Sequence, residues 1–467
     1  MSLISLKFKQ IISAGIVLAS SLCFYGCRTA IPERSPELPI SVPTRWEQPT
    51  GAIVPSQVSY GWVSTLGDPM LSSLVDEAIR KNPDLKLAVA RMESARQLVR
   101  TAKSEFYPVA SLGFDSSIIE TNGATFDAFR TDEYQLVIGA AWEPDLWGKI
   151  RNSSAASVSE WEASGFDLQQ AKQSMAASVS MAWFNLISAK QQLSLAEETV
   201  KSYSSTADLI RTRYESGIDS SLDYRLAVAN AESAKGGLAS SREYFKRAQR
   251  SLQILLGRYP DGSLLAGSDF PNLNNQVLAG IPSDLLTRRP DVRAAERRLA
   301  ATEASIRNAS RERLPSIQIT YSTGIQTSEF KNILDRNEDF WKIGASLDQP
   351  LFTGGRLDAN LQRSRAAYDQ ARALYEQVVL RAFYEVEQAL DADRYYADME
   401  QAAKAATEQS VEAEKLAWDQ YTAGLINIVT VLEAQRRALN AKQGYIDARN
   451  GRIQNRIKLF LSLGGDI

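Results

Sequence analysis

Two periodicities alternate along this chain. From Met175 onward, Val179, Ala182, Leu186, Ala189, Leu193, Ala196, Val200, Tyr203, Ala207, Ile210 and Tyr214 follow one another at spacings of three and four. A seam of period near 3.5 is the mark of a coiled coil. The helix it predicts, over 149–214, is roughly 100 Å long at 1.5 Å per residue, several times an ordinary core helix. Gly217 ends it and a second helix returns over 222–256. The same layout recurs as a helix over 357–421, a break at Gly424 and a return over 428–463. That return carries Val431 or Leu432, Leu439, Ile446, Ile453, Ile457 and Phe460 on one face. The second copy has Asp393, Glu400 and Glu414 at seam positions, which predicts a wetter face there.

Between these helices the period drops to two. Four strands are predicted, near 108–118, 134–142, 317–325 and 341–348. In the first, Ala110, Leu112, Phe114, Ser116 and Ile118 oppose Ser111, Gly113, Asp115 and Ser117; in the second, Tyr134, Leu136, Ile138, Ala140 and Trp142 oppose Gln135, Val137, Gly139 and Ala141. In the third, Ile317, Ile319, Tyr321, Thr323 and Ile325 oppose Gln318, Thr320, Ser322 and Gly324. Trp341, Ile343, Ala345 and Leu347 then oppose Lys342, Gly344, Ser346 and Asp348. Polar loops are predicted over 119–132 and 326–339. Strands of about ten residues cross a bilayer at a tilt, although the alternation also suits hairpins capping a soluble helical body. Four strands cannot close a barrel, and an open sheet edge cannot sit in lipid. If they span a membrane, several chains share one barrel; three chains give twelve strands, enough for an aqueous lumen.

The chain says nearly the same thing twice, 207 residues apart. Asn82-Pro83-Asp84-Leu85-Lys86 returns as Arg289-Pro290-Asp291-Val292-Arg293. Pro108, Phe114, Gly148, Tyr214, Gly217, Leu256 and Gly257 return as Pro315, Tyr321, Gly355, Tyr421, Gly424, Leu463 and Gly464. One unit of helix, strand, strand, long helix and helix has been copied, and neither copy need bury its apolar surface alone. The expected organisation is a signal peptide over 1–26, an extended tether over 27–68, a first repeat over 69–260, a linker over 261–280 and a second repeat over 281–465. The fold class is mainly α with a transmembrane β part.

Composition narrows the chemistry. Lys plus Arg number 53 and Asp plus Glu 55, so no bulk charge draws the chain to nucleic acid. Histidine is absent and both cysteines, Cys23 and Cys27, precede residue 28, which excludes His triads, Cys-His pairs and His-containing zinc sites. The pairs Glu197/Glu198 and Glu412/Glu414 read as solvated helix surface. Gly354-Gly355 lacks the Lys-Ser or Lys-Thr of a phosphate loop and reads as a strand-to-helix hinge. No enzyme and no metal or other cofactor is expected. At the N-terminus, Lys7 and Lys9 precede the apolar run 11–18, too short to span a bilayer, in the layout of a secretory signal. It ends at Phe24-Tyr25-Gly26-Cys27, similar to a bacterial lipoprotein box, with Phe24 where Leu is usual; Cys27 is the expected lipidation site. Prolines 32, 36, 39, 43, 49 and 55 give the tether its extended character.

Several motifs in order carry a resemblance. Pro83-Asp84 and Pro290-Asp291 open helices; Trp142-Glu143-Pro144-Asp145-Leu146-Trp147-Gly148-Lys149 is matched by Gln349-Pro350-Leu351-Phe352-Thr353-Gly354-Gly355-Arg356; Leu461-Ser462-Leu463-Gly464-Gly465 closes the chain. With these the sequence resembles the outer-membrane efflux proteins, the TolC-like channel-tunnels, over roughly 27–465. The lipoprotein box and the tract from Leu286 to Ala300 resemble the NodT-type lipoprotein branch. Pro144 departs from the Leu usual there and bears on where the second strand ends. The resemblance implies a homotrimer with a shared twelve-stranded β-barrel in outer-membrane lipid and a long α-helical barrel in the periplasm. It implies a passive duct for solutes exported by an inner-membrane pump, joined through a periplasmic adaptor, and a bacterial outer-membrane location.

The resemblance also implies a periplasmic gate in the second hairpin turn. Tyr421 matches a tyrosine linking neighbouring helices, Val429 a hydrophobic constriction, Glu433 an acidic ring and Arg436 a link partner. Thr430 stands where some members carry a further carboxylate. Read from spacing alone, Glu433 and Arg436 make an ordinary i, i+3 surface pair. The turns around Tyr214, Gly217 and Gly424 are the expected adaptor contacts. The competing reading is a lipid-anchored periplasmic coiled-coil scaffold without channel activity.

Overall fold

The computed structural model describes residues 42–47, 61–123, 126–267, 269–273, 280 and 282–465. The signal segment, Cys27, most of the tether and part of the 261–280 linker lie outside the described residues. The elements run α1 (Trp62–Thr65), α2 (Pro69–Lys81), α3 (Pro83–Ser104), β1 (Val109–Gly123), β2 (Phe126–Trp142), α4 (Lys149–Glu215) and α5 (Ser221–Leu255). The second half repeats them: α6 (Pro282–Arg288), α7 (Pro290–Arg311), β3 (Ser316–Thr327), β4 (Asp339–Asp348), α8 (Arg356–Thr422) and α9 (Ile428–Ser462). From α3 to α5 every helix boundary recurs at the 207-residue offset.

Local chemistry sets these boundaries. The carboxylate of Asp145 accepts from the backbone N–H of Ile150 (3.1 Å) and Arg151 (2.9 Å), which opens α4 and explains the place of Pro144. The proline falls just after β2 ends at Trp142. Ser220 and Asp223 form a capping box at α5, and Asn427 caps α9. Gly217 and Gly424 both take φ 73°, a conformation that Cβ-bearing residues disfavour, so that each long helix reverses.

Each repeat closes on itself by the same contact. Asn82 Nδ2 donates to the carbonyl of Leu255 at 2.8 Å, and the equivalent Arg289 Nη1 donates to that of Ser462 at 3.1 Å. Both satisfy a carbonyl left open at a helix C-terminus. Arg289 is buried and also pairs with Asp291 (2.6 Å) and Glu385 (2.8 Å). The main core lies where α2 crosses the middle of α4. Trp62, Leu71, Trp183, Phe184, Ile187, Leu252, Leu256, Ile453 and Ile457 pack there, and Trp183 Nε1 donates to Asp68 at 2.7 Å.

The sheet order is β1-β2-β3-β4, all antiparallel, so β1 and β4 are open edges in one chain. Its register places Leu112 opposite Ile138, Leu136 opposite Ile325, Ala140 opposite Tyr321, and Tyr321 opposite Ile343. The apolar positions of all four strands therefore share one face, and it is uncovered: Leu112 is 70 %, Ile138 54 % and Ile343 66 % exposed. Hairpins that merely cap a helical body would bury that face. The opposite face carries Ser111, Asp115, Gln135, Gln326, Ser322, Lys342 and Ser346. It also carries Gly324, where a Cβ would run into the carbonyl oxygen of Leu136.

Two expectations need correction. The segment 119–132 is not a loop: Ile119 pairs with Thr131, Glu120 with Arg130, and pairing continues to Gly123 and Phe126. A two-stranded ribbon can satisfy its remaining backbone groups with water, so polar composition did not end the strands. The second hairpin does turn earlier, through two short 3₁₀ turns between Phe330 and Glu338. Nor is the second helical hairpin simply wetter. Asp393 pairs with the buried Arg456 at 3.0 Å and Glu400 with Arg452 at 2.7 Å, which ties α8 to α9 through their acidic seam positions. Glu414 is half-buried, and burial raises its pKa. Arginine replacing Ile138 or Ile343 is expected to cost ~2 to 4 kcal/mol at a bilayer midplane, whereas charges at Gln135 or Ser346 should be tolerated. The yield of folded, membrane-integrated protein tests this; equal yields at both faces would overturn the facing.

Candidate functional site: the paired hairpin tips

The α4–α5 and α8–α9 turns come together in one tip. Tyr203, Ala207, Ile210, Ala227, Ala231, Ala417, Ile428, Val431 and Leu432 pack as a separate apolar cluster around Tyr421. The Tyr421 ring is 5 % exposed, lies edge-on to Trp418, and has the Arg213 guanidinium 5.0 Å from its centroid. Its hydroxyl donates to Asp219 Oδ2 at 2.8 Å, and Arg213 Nε donates to the same oxygen at 2.9 Å. Burial and then the adjoining Asp219 carboxylate push the Tyr421 phenol up to about 12. A buried hydroxyl, a carboxylate and a guanidinium thus bolt the second turn to the first.

Glu433 and Arg436 sit one turn along α9. Arg436 Nη2 lies 2.8 Å from Glu433, and Arg437 Nε also lies 2.8 Å from it. These bonds, that from Arg437 first, hold the Glu433 carboxyl below its ordinary range. Within one chain, then, Arg436 serves Glu433 on its own helix, the i, i+3 pair that spacing predicts. Val429 projects from the first turn of α9 and is exposed. Tyr214 is half-exposed and stacks on Tyr224 with centroids 5.6 Å apart, outside the seam that its spacing predicted. At the equivalent positions of the two turns, exposed apolar side chains recur: Ile218 with Leu425, and Leu222 with Val429.

Sequence reasoning missed Asp219, Arg213 and Arg437. A signal for the first two was present in the duplication itself. Arg213 and Asp219 correspond to Gln420 and Ile426, so the charges stand where the two copies disagree. Gln435, buried on α9, donates to Ser202 at 2.6 Å and adds a second polar tie between the hairpins.

The junction below the sheet is also held by side chains of the matched motifs. Trp142 Nε1 donates to the carbonyl of Phe106 at 3.0 Å, and Trp147 Nε1 to that of Pro315 at 2.6 Å. The sheet is thereby fixed at the ends of α3 and α7. At the level of the main core, Trp46 of the tether donates to the carbonyl of Gly280 at 3.0 Å and packs edge-on to Phe383.

Comparison with known proteins places this geometry. The family model "Outer membrane efflux protein" matches residues 74–258 and again 281–465. The toluene efflux pump outer membrane protein TtgF of Pseudomonas putida is 29 % identical over 465 residues, covering 96 % of both chains. The probable outer membrane lipoprotein SilC of Salmonella typhimurium is 27 % identical, covering 94 % of this chain and 96 % of its own. The outer-membrane channel OprN superposes with a TM-score of 0.85 at 27 % identity, over 93 % of this chain and 99 % of OprN. The open state of the Neisseria gonorrhoeae MtrE outer membrane channel gives 0.81 at 27 %, over 92 % and 97 %. With its exposed apolar sheet, long helical hairpins and twice-matched sequence, the chain belongs to the outer membrane efflux protein family, the outer-membrane channels of tripartite efflux systems.

Proposed function

We propose that three copies of this chain close into one duct, passive and without an energy source of its own, that conducts solutes delivered by an inner-membrane pump. The observation that carries this reading is the sheet with an exposed apolar face and two open edges. Backbone groups on those edges cannot be left unpaired in lipid. The helices point to the same closure. In the upper layer the order is α3-α4-α7-α8, and in the lower layer α5-α4-α9-α8. The first repeat therefore supplies one flank, with β1, α3 and α5, and the second the other, with β4 and α8. A head-to-tail contact between unlike flanks closes into a ring when its rotation allows. The apolar residues Ile218, Leu222 and Leu425 at the tips are the surface offered to a periplasmic adaptor, beside Tyr214, Gly217 and Gly424.

The tips are the gate of this duct. Tyr421, Asp219 and Arg213 hold the second hairpin against the first, and Val429 and Glu433, three of each per trimer, line the narrowed mouth. Charge-assisted hydrogen bonds contribute roughly 1.5 to 3 kcal/mol each, so losing a threefold set moves a closed-to-open equilibrium by orders of magnitude. Cys27 carries a lipid that adds affinity for the inner leaflet of the outer membrane while the barrel holds the bilayer without it.

Four measurements test these assignments. Cys27→Ser should abolish labelled fatty-acid incorporation while leaving the protein in the outer membrane; continued labelling would place the lipid elsewhere. Tyr421→Phe combined with Asp219→Ala should raise single-channel conductance in planar bilayers. The parent should also loosen with alkali: between pH 10 and about 12 the unfolded tyrosine is deprotonated while the folded one keeps its proton, so tip stability falls as pH rises through that window. Tyr421→Phe should lose that dependence, and unchanged conductance with an unchanged alkaline profile would remove the bolt from the gate. Glu433→Ala should weaken cation preference, because a ring of carboxylates in a narrow pore focuses the field on cations. Selectivity equal to the parent's at the same salt would place the constriction elsewhere.

A further inference from the structure

The polar face of the sheet is not uniform along the strands. Pairing sets Gly113, Val137, Gly324 and Phe340 in one row across it, and Ser111, Gly139, Ser322 and Lys342 in the next row toward the helices. Side chains alternate between faces along a strand, so both rows lie opposite the exposed apolar face. Phe340 is therefore an aromatic ring on the side that closure of the duct turns inward. Lys342, two residues along β4, is on that side as well.

Around these two side chains the face is hollow. Gly324 has no room for a Cβ, because the Leu136 carbonyl oxygen stands in its place. That need does not hold at Gly113 or Gly139. A Cβ would meet only the Asp115 carboxylate at 3.8 Å or the Ser111 hydroxyl at 3.6 Å, ordinary contact distances, and neither glycine takes a positive φ. The backbone admits a methyl group at both, so what these glycines contribute is space beside Phe340 and Lys342.

The hollow has a floor, walls and a lip. Gly324, Gly139 and Ser322 form the floor; Phe340 and Lys342 on β4 form one wall and Val137 on β2 the other. Its outer lip is a row of amides: Gln135 Nε2 donates to Gln326 Oε1 at 3.5 Å, and Gln326 Nε2 donates to Glu133 at 2.6 Å. Thr323 Oγ1 donates to the Phe340 carbonyl at 3.0 Å, which fixes the start of β4 and with it the aromatic wall.

Charge gives the hollow a sign. The row neighbours of Lys342 are Ser322, Gly139 and Ser111, all uncharged, so its ammonium is left facing the space between the strands. The carboxylates of this face stand elsewhere in the chain: Asp115 on β1 at the far side of the sheet, Glu133 beyond the amides, and Asp348 at the foot of β4.

We infer that this hollow binds amphiphilic aromatic anions in transit. The ring lies against Phe340 over the bare floor at Gly324, and the anionic group sits between the Lys342 ammonium and the Ser322 hydroxyl. Aromatic pairs gain contact energy beyond their buried area, and a hydrogen bond between two ions is about twice as strong as a neutral one. The inference rests on the duct reading, because only closure makes this face a lumen, and it names a solute class for that duct. Barrel and mouth then act on opposite charges: the Glu433 carboxylates draw cations, while the Lys342 ammonium groups hold anions.

Block of single-channel current tests this. 2-Naphthalenesulfonate, added from the barrel side to full-length protein in a planar bilayer, should reduce the potassium chloride current. Lys342→Gln should raise its half-blocking concentration at least ~5-fold, through loss of a hydrogen bond to a charged group, and Lys342→Arg should restore block. Phe340→Leu, which stays apolar but removes the ring, should raise it ~3-fold. Block by the same naphthalene ring bearing trimethylammonium should not weaken in Lys342→Gln. The current of each variant in plain salt reports its assembly. Equal sulfonate block in the parent, Lys342→Gln and Phe340→Leu would overturn the inference. So would block that Glu433→Ala weakens and Lys342→Gln does not, because the anion would then bind at the mouth. A parent that conducts but is not blocked by the sulfonate rejects the hollow and leaves the duct standing; a parent that carries no current removes the duct reading and this inference with it.

Discussion

The constraint on which this structure depends is that a backbone N–H or carbonyl in lipid must find a protein partner. Each group left unpaired in the hydrocarbon costs several kcal/mol. One chain contributes four strands, too few to close, so both edges must be met by other copies. That single requirement makes the apolar face, the unlike flanks and the head-to-tail contact parts of one solution. It also explains why the helical layers end on the same sides as the sheet: a ring closed at the barrel but open below would expose α3 and α8 along their length.

Duplication supplies an economical way to meet the constraint. One hairpin and two helices, used twice, supply all four strands of the sheet and both of its open edges. Identical register in the two hairpins and matching closure by Asn82 and Arg289 indicate that the copies retain the same backbone geometry despite divergent side chains. Divergence is concentrated where the copies have different work. At the tips, Arg213 and Asp219 face Gln420 and Ile426 as equivalents, and only the mixed combination places a carboxylate where the Tyr421 hydroxyl reaches it. An asymmetric bolt in an otherwise repeated frame is what the proposed gate at the tips rests on.

The long helices transmit this arrangement. α4 and α8 each contain 67 residues, so one rigid element carries the geometry from the base of the sheet to the tip. The ion pairs Asp393–Arg456 and Glu400–Arg452, of which Arg456 is buried and the rest half-buried, bind α8 to α9 along the second hairpin, while the first relies more on apolar packing of Ala248, Leu252 and Leu256 against α4. The hairpins therefore differ in how they are held together.

The sequence by itself determined the periods, the duplication and the turns, because these rest on local rules: a 3.5-residue seam, a two-residue alternation, and glycines at positive φ. Boundaries of the four long helices came within a residue or so of the observed ones for that reason. It determined the family as well, through motifs whose spacing is fixed by those same turns. Tertiary structure alone decided which side chains meet across the repeats. Tyr421 reaches Asp219 across 202 residues of sequence, and Arg456 neutralises Asp393 from a different helix. Periodicity describes one element at a time, so it found the Glu433–Arg436 pair within α9 but marked Asp393 and Glu400 as wet. Nor could polarity reveal that 119–132 stays extended, since strand pairing in water depends on the partner strand being present rather than on burial. Contacts between distant segments depend on how two faces are rotated toward each other, and that angle is set by packing.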